Sequence, residues 1–269
     1  MNPPKIHRDK FILHHKEWIT PHMIRIALFG NVEPFSQCVV GVNNKIFVPP
    51  FGEKLVYFSE PDPETGELIL PPENVRPSLR TYTHRGIDLE KNLLFIDFVN
   101  HGENGPASRW AIRAEIGDEL GVAMKLKDTP IHPESDWYFL IGDATALPVI
   151  SCILEGLPKD AVGKAIIEVP TTEDTQVLIK PEGVDVIWIY NEHPENGSIL
   201  ADVAKNVQIP SNGSKFAHVA AEFSTVKTLR HYFRKELNWS ANELYAYSYW
   251  KAGVSEDKST EERHEEKRS

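Results

Sequence analysis

Hydrophobic positions follow two different rhythms along the chain. Between His22 and Phe29, Ile24, Ile26 and Leu28 share one parity and Met23, Arg25 and Ala27 the other, the two-residue period of a strand buried on one side. Short apolar or mixed runs follow at Lys45–Val48, Leu55–Ser59, Glu67–Leu70, Arg80–His84, Leu93–Val99 and Glu119–Lys125. Pro61-Asp62-Pro63-Glu64-Thr65-Gly66 has the residues of a hairpin loop, and prolines at 49, 50, 71, 72 and 77 suit loops and sheet edges. Many short strands with frequent turns predict an antiparallel barrel or sandwich.

The rhythm changes near Thr129-Pro130. Beyond it, unbroken apolar runs at Trp137–Ile141, Lys164–Val169, Val184–Tyr190 and Lys215–Ala221 alternate with helical segments, the pattern of a parallel sheet covered on both faces. Ser224 is placed to cap a helix in which Val226, Leu229, Phe233 and Leu237 recur every three or four residues, and Leu244–Trp250 is the last expected strand. The expected organisation is therefore a β domain over 1–129, an α/β domain over 130–250 and a polar extension over 251–269. The stretch from Ser255 to Ser269 has no hydrophobic residue, so it is expected to be a polar helix or disordered.

Composition narrows the class. A chain of 269 residues with 41% hydrophobic and 25% charged residues has the make-up of a soluble globular protein of two domains. A net charge of -10 argues against a nucleic-acid partner. No apolar run nears the roughly 18 residues a membrane span needs, and the first residues lack a signal-peptide core. Cys38 and Cys152 are far apart in sequence, and no histidine- or cysteine-rich metal spacing is present. A soluble, cytoplasmic, metal-free protein without membrane or nucleic-acid partners is expected.

Three stretches carry candidate chemistry. In Arg80-Thr81-Tyr82-Thr83-His84-Arg85, a strand would put Arg80, Tyr82 and His84 on one face and Thr81, Thr83 and Arg85 on the other. An aromatic ring, hydroxyls and guanidinium groups suit the ring system, polar edge and pyrophosphate of a flavin nucleotide, although a surface strand with cross-strand pairs has the same composition. His101-Gly102, then Gly105-Pro106-Ala107-Ser108-Arg109-Trp110, reads as a glycine turn opening a helix with proline in its first turn. Free N–H groups there can bind a diphosphate; an ordinary loop-to-helix junction is the plainer alternative. Gly142-Asp143-Ala144-Thr145-Ala146-Leu147-Pro148 follows an apolar strand and opens a helix that Asp143 or Thr145 can cap. Dinucleotides bind at such corners, yet the usual G-x-G-x-x-G is missing.

Taken in order, these stretches resemble the siderophore-interacting protein family of FAD-dependent ferric-siderophore reductases, in the ferredoxin-reductase-like superfamily. The family's arginine-x-tyrosine-threonine-x-arginine motif matches Arg80, Tyr82, Thr83 and Arg85. Its histidine-glycine and glycine-proline-alanine-serine segment matches His101-Gly102 and Gly105 to Ser108, and its glycine-aspartate-x-threonine-alanine-leucine-proline turn matches Gly142 to Pro148. Tyr249-Trp250-Lys251-Ala252-Gly253 is similar to its tyrosine-tryptophan-basic-x-glycine signature. The resemblance spans roughly Phe11 to Gly253.

It implies a β + α/β protein: an antiparallel six-stranded FAD-binding β-barrel followed by a parallel α/β domain that receives a nicotinamide dinucleotide. FAD would be held by Arg80, Tyr82, Thr83, Arg85, His101, Gly105, Pro106, Ala107, Ser108 and Trp250. The dinucleotide would meet Asp143, Thr145 and Ala146. A ferric siderophore, a small anionic chelate, would meet Lys45, Lys251 and either Arg230 or Arg234. Electrons would pass from the dinucleotide through FAD to ferric iron, and the protein would act as a monomer. Where family members carry an arginine after the third strand of the parallel sheet, this chain has Tyr190-Asn191, and Glu168 to Asp174 includes no base. NADH is therefore expected over NADPH. Ala144 stands where an acidic residue is common, which keeps reduced ferredoxin open as donor. The alternatives are a ferredoxin- or flavodoxin-type reductase and a non-catalytic siderophore-binding protein.

Overall fold

The computed structural model describes residues 5–254, and the chain divides into two compact units that part between Thr129 and Pro130. The first unit contains β1 (Ile6–Thr20), β2 (Met23–Phe29), β3 (Asn43–Val48), β4 (Glu60–Pro61), β5 (Leu68–Ile69), β6 (Ser78–Thr83), β7 (Gly86–Asp88), β8 (Leu93–Val99), helix α1 (Pro106–Arg113) and β9 (Glu119–Lys125). Its main sheet is antiparallel, in the order β6-β3-β9-β1-β2-β8-β7. The two edge strands are one stretch of chain: β6 pairs with β3, His84 and Arg85 turn the corner, and β7 pairs with β8. Three peptide steps reach at most about 10 Å, so the opposite edges of the sheet must meet. The sheet is thus curled and barrel-like, with seven paired segments where six strands were expected. Its interior holds Phe11, Ile24, Ile26, Leu28, Ile46, Ile96, Phe98 and Val122, with Ala107, Trp110 and Ala111 of α1 packed against them.

One strand was not expected, and one expected strand does not form. The longest strand, β1, has no alternating signature, because register shifts between Leu13 and His15 and between Trp18 and Thr20 break its parity. Only Phe11, Leu13 and Thr20 are buried along it, and β2 and β9 pair with it on either side. Lys16, one of its polar residues, closes the C-terminal end of α1, where its ammonium donates to the carbonyls of Ile112 and Ala114 at 2.8 and 2.9 Å. The run Leu55–Ser59 does not pair as a strand. It lies on the sheet, with the Phe58 ring edge-on to Phe47 at 4.9 Å and the Val56 N–H donating to the Glu119 carboxylate at 2.8 Å. Gly121 makes room for it, since a Cβ there would stand 2.6 Å from the Phe58 ring. The expected hairpin forms between β4 and β5, where the Asp62 carboxylate accepts the N–H groups of Glu64 and Thr65.

The second unit contains β10 (Trp137–Asp143), α2 (Leu147–Gly156), β11 (Gly163–Val169), β12 (Val184–Tyr190), α3 (Leu200–Lys205), β13 (Lys215–Glu222), α4 (Phe223–His231), a π-helical turn over Tyr232–Glu236, and β14 (Leu244–Trp250). All five strands are parallel, in the order β12-β11-β10-β13-β14. Phe139, Ile141, Ile166, Ala217 and Val219 face Leu200 and Ala204 of α3, Val226 and Leu229 of α4, and Phe233 of the π-helical turn. Helix α2 packs closely on β10 because Gly142 has no side chain; a Cβ there would lie 2.5 Å from that of Ala146 and 2.8 Å from Ile150 Cδ1. Helix α4 begins one residue before the expected cap. Its N-cap is Glu222, whose carboxylate accepts the Ser224 N–H, and Leu237 falls beyond the helix and is exposed. The polar stretch 255–269 lies outside the described residues. Among the described residues no helix is long and apolar enough to cross a membrane.

Candidate functional site

The corner where β6 becomes β7 gathers the first motif. Antiparallel pairing sets Tyr82 opposite Asn44, Arg80 opposite Ile46, and Thr81 opposite Lys45. Tyr82 packs on the core ring of Phe98 with centroids 4.4 Å apart, which fixes its plane. Thr83 is buried, and the Lys45 ammonium donates to the Thr81 hydroxyl. The buried side chain of Asn44 has neither its amide nitrogen nor its oxygen hydrogen-bonded. An orphaned donor and acceptor opposite an aromatic ring fit the polar edge of a flat heterocycle. Arg85 has a structural partner: its Nε stands 3.5 Å from Asp97, whose carboxylate also takes both donors of a bidentate Arg25 at 2.7 Å. His84, fully buried between these motif residues, is pushed down to about 4 by desolvation and is neutral at pH 7.

The second motif forms the approach to α1. Gly102 takes φ +84°, and its N–H donates to the Asn100 side chain at 3.1 Å. The His101 N–H donates to the Ser108 hydroxyl at 3.2 Å, and the His101 ring lies against Gly105, where a Cβ would come within 2.7 Å of it. Pro106 opens the helix after Gly105, so the N–H groups of the first turn point out without intrahelical partners, as an anion requires. Beside the helix runs a cavity of about 390 Å³ lined by Phe51, Lys54, Pro106, Arg109, Trp110 and Arg113, within the size range of small-molecule sites. Trp110 brings to it a buried indole whose N–H has no hydrogen-bond partner. These residues fit a bulky nucleotide cofactor.

The third motif lies at the carboxyl edge of the parallel sheet. Asp143 is buried. It accepts from the Thr145 N–H at 2.9 Å, the Thr145 hydroxyl, the Glu222 N–H at 2.9 Å and the Trp250 indole at 2.8 Å. Burial pushes its carboxyl above the usual range, against the pull of these bonds. Ala146 is fully buried, its N–H held by the Asp143 carbonyl at 2.9 Å. Asp143 and Ala146 thus build the turn itself. Sequence reasoning missed two neighbours, Glu168, which pairs in register with Asp143, and Glu222. Burial raises the Glu168 carboxyl, which accepts from the Ser198 hydroxyl.

Of the candidate substrate bases, Lys45 belongs to the first unit and the other three to the second. Lys251 lies 4.8 Å over the Phe223 ring. Arg230 donates to the Ala246 carbonyl at 2.7 Å and Arg234 to the Trp239 carbonyl at 3.2 Å, so each has a structural role.

A curled antiparallel sheet followed by a five-stranded parallel sheet is the architecture of ferredoxin-reductase-like flavoproteins. Phthalate dioxygenase reductase shares the fold at a TM-score of 0.56 and 14% identity, over 90% of this chain and 68% of that one. Residues 12–124 match the siderophore-interacting FAD-binding domain, and residues 135–253 match the siderophore-interacting protein domain. The chain belongs to the siderophore-interacting protein family. The ferric vibriobactin reductase of Vibrio cholerae is 32% identical over 93% of this chain and 91% of its own length. The NADPH-dependent ferric-chelate reductase of Escherichia coli is 28% identical over 88% and 90%. The siderophore-interacting protein of Aeromonas hydrophila superposes with a TM-score of 0.80 at 29% identity, covering 97% of this chain and 98% of that one.

Proposed function

We propose that this protein is a cytoplasmic FAD-dependent ferric-siderophore reductase that draws electrons from NADH. The observation that carries the proposal is the β6–β7 corner: Tyr82 on its Phe98 support, the unsatisfied Asn44 and the α1 N-terminus occur together in the unit that matches an FAD-binding domain. FAD, when bound, accepts electrons in pairs and releases them singly, which suits a nicotinamide donor and a ferric acceptor. Tyr82 holds one ring face, and Thr83 and Asn44 offer hydrogen bonds to the polar edge. Arg80 and the first turn of α1, from Pro106 to Ser108, neutralise the phosphates, with His101 and Gly105 shaping the approach. Arg85 supports the corner through Asp97. Family resemblance adds Trp250 to the flavin contacts and Thr145 to the dinucleotide contacts.

Family resemblance assigns Lys45 and Lys251 to the anionic chelate, and Arg230 and Arg234 each give one donor to a main-chain carbonyl. NADH is preferred over NADPH because acids, Glu168 at the end of the second parallel strand and Glu173 and Asp174 after it, stand where a 2′-phosphate needs a base. In this respect the chain would differ from the Escherichia coli relative. Under anaerobic conditions the purified yellow protein should bleach with NADH and recover its colour on adding a ferric catecholate. The double variant Lys45→Ala, Lys251→Ala should then require about tenfold more chelate for the same reoxidation rate. A protein that binds ferric siderophore yet never bleaches with NADH, NADPH or ferredoxin would defeat the proposal.

A further inference from the structure

In the parallel sheet the strand order reverses between β10 and β13, and dinucleotides lie in the crevice beyond the strand ends at such a switch point. Asp143 closes β10 on one side of this crevice, and Glu222 closes β13 on the other. Both carboxylates already hold the donors that would face an anion there. Asp143 takes the N–H groups of Thr145 and Glu222, and Glu222 takes the N–H and hydroxyl of Ser224 at the start of α4. The chain leaving β14 is tied to the same pair. The Trp250 indole donates to Asp143 Oδ2 at 2.8 Å, and the Ala252 N–H donates to Glu222 Oε1 at 3.3 Å. A bridge between Lys251 and Val254 closes the turn. Residues 250–252 therefore run across the switch point, fastened on both sides.

We infer that Asp143 is a positioning residue which, with Glu222, holds Trp250 and Ala252 across the switch-point crevice, so that a nicotinamide dinucleotide enters only as the Trp250–Asp143 hydrogen bond opens. The inference rests on the proposed nicotinamide donor. A bond from an N–H to a buried carboxylate is among the stronger ones, and the need to open it divides the intrinsic dissociation constant by the fraction of time the strap is open, which weakens apparent binding. Trp250→Phe removes the donor while keeping an aromatic ring, so the dinucleotide should bind it roughly tenfold more tightly.

The test uses the full chain with excess FAD, labelled with ¹⁵N-tryptophan and titrated with NAD⁺ so that no turnover occurs. Only six indole resonances are expected, and that of Trp250 is assigned by its disappearance in Trp250→Phe. In the native sequence this resonance should start downfield, as a carboxylate-bound N–H does, and move upfield as NAD⁺ binds. The variant should show the tighter dissociation constant. Equal NAD⁺ affinity for both proteins, with the Trp250 resonance unmoved at saturation, would overturn the inference and leave the donor assignment standing. Absence of NAD⁺ binding to either protein would overturn the donor assignment and the inference with it.

Discussion

His218 on β13 offers a quantitative check on the second unit. The residue is buried, neither ring nitrogen has a hydrogen-bond partner, and the imidazole stacks on Tyr245 at 4.5 Å with 18° between planes. Desolvation, helped by nearby His132, pushes its pKa from 6.5 down to about 3. Between those values the unfolded chain binds a proton that the folded unit refuses. The contribution is therefore complete above pH 6.5 and drains away as the pH falls towards 3. At about 1.4 kcal/mol per pH unit, acidification from pH 7 to 5 should cost about 2 kcal/mol from this residue alone. Asp143 and Glu168, whose carboxyls are raised, act with the opposite sign, so the comparison must be differential. His218→Phe keeps a ring against Tyr245 and removes the titration. Hydrogen exchange of the β13 amides, corrected for intrinsic rates, gives the opening free energy of this unit at each pH. The native protein should lose about 2 kcal/mol more than the variant between pH 7 and 5. Equal losses would show that His218 is protonated in the folded state and that its burial is misread.

Two further predictions concern packing and helix support. Gly142→Ala brings a methyl group within 2.5 Å of Ala146 Cβ and 2.9 Å of the Ala220 carbonyl, and should destabilise the second unit by about 2–3 kcal/mol, read as a lowered thermal midpoint. A change below about 0.5 kcal/mol would mean that α2 can lift from β10 freely. Lys16→Met keeps the aliphatic stem but loses both bonds to the α1 carbonyls and the charge at that helix terminus; a loss of about 2 kcal/mol is expected in urea unfolding, with Lys16→Arg recovering part of it.

What could be read from sequence depended on whether a residue's role is set locally or by distant partners. The parity of Ile24, Ile26 and Leu28 and the unbroken run of β10 each encode burial within a few residues, and both strands form as expected. Strand β1 escapes because its bulges scramble parity and its stability comes from pairing on both sides. The motif around Tyr82 was legible as chemistry, but nothing local says that the same few residues join both edges of the sheet. Asp143 shows the reverse case. A turn aspartate before a helix reads as a cap or a cofactor contact, whereas its partners include Glu222 and Trp250, 79 and 107 residues away. Glu222 had a visible signal, an acid directly after the apolar run Val219-Ala220-Ala221. Arg230 had none, because the carbonyl it holds belongs to β14.

The bond from Arg230 to Ala246 also bears on how molecules meet one another in solution. Strand β14 is the outer strand of its sheet, and its sequence, Leu-Tyr-Ala-Tyr-Ser-Tyr-Trp, is uncharged and rich in aromatic residues, the composition that templates intermolecular pairing. The Glu243 carbonyl accepts from Ala217 on β13, so the two-residue alternation of the ladder turns the Ala246 carbonyl towards the open side. A guanidinium at that carbonyl puts a charge and a committed donor in the middle of the seam where a second strand would dock. An apolar replacement of Arg230 would thus show itself at high protein concentration, as self-association along β14, before it affected any step of catalysis.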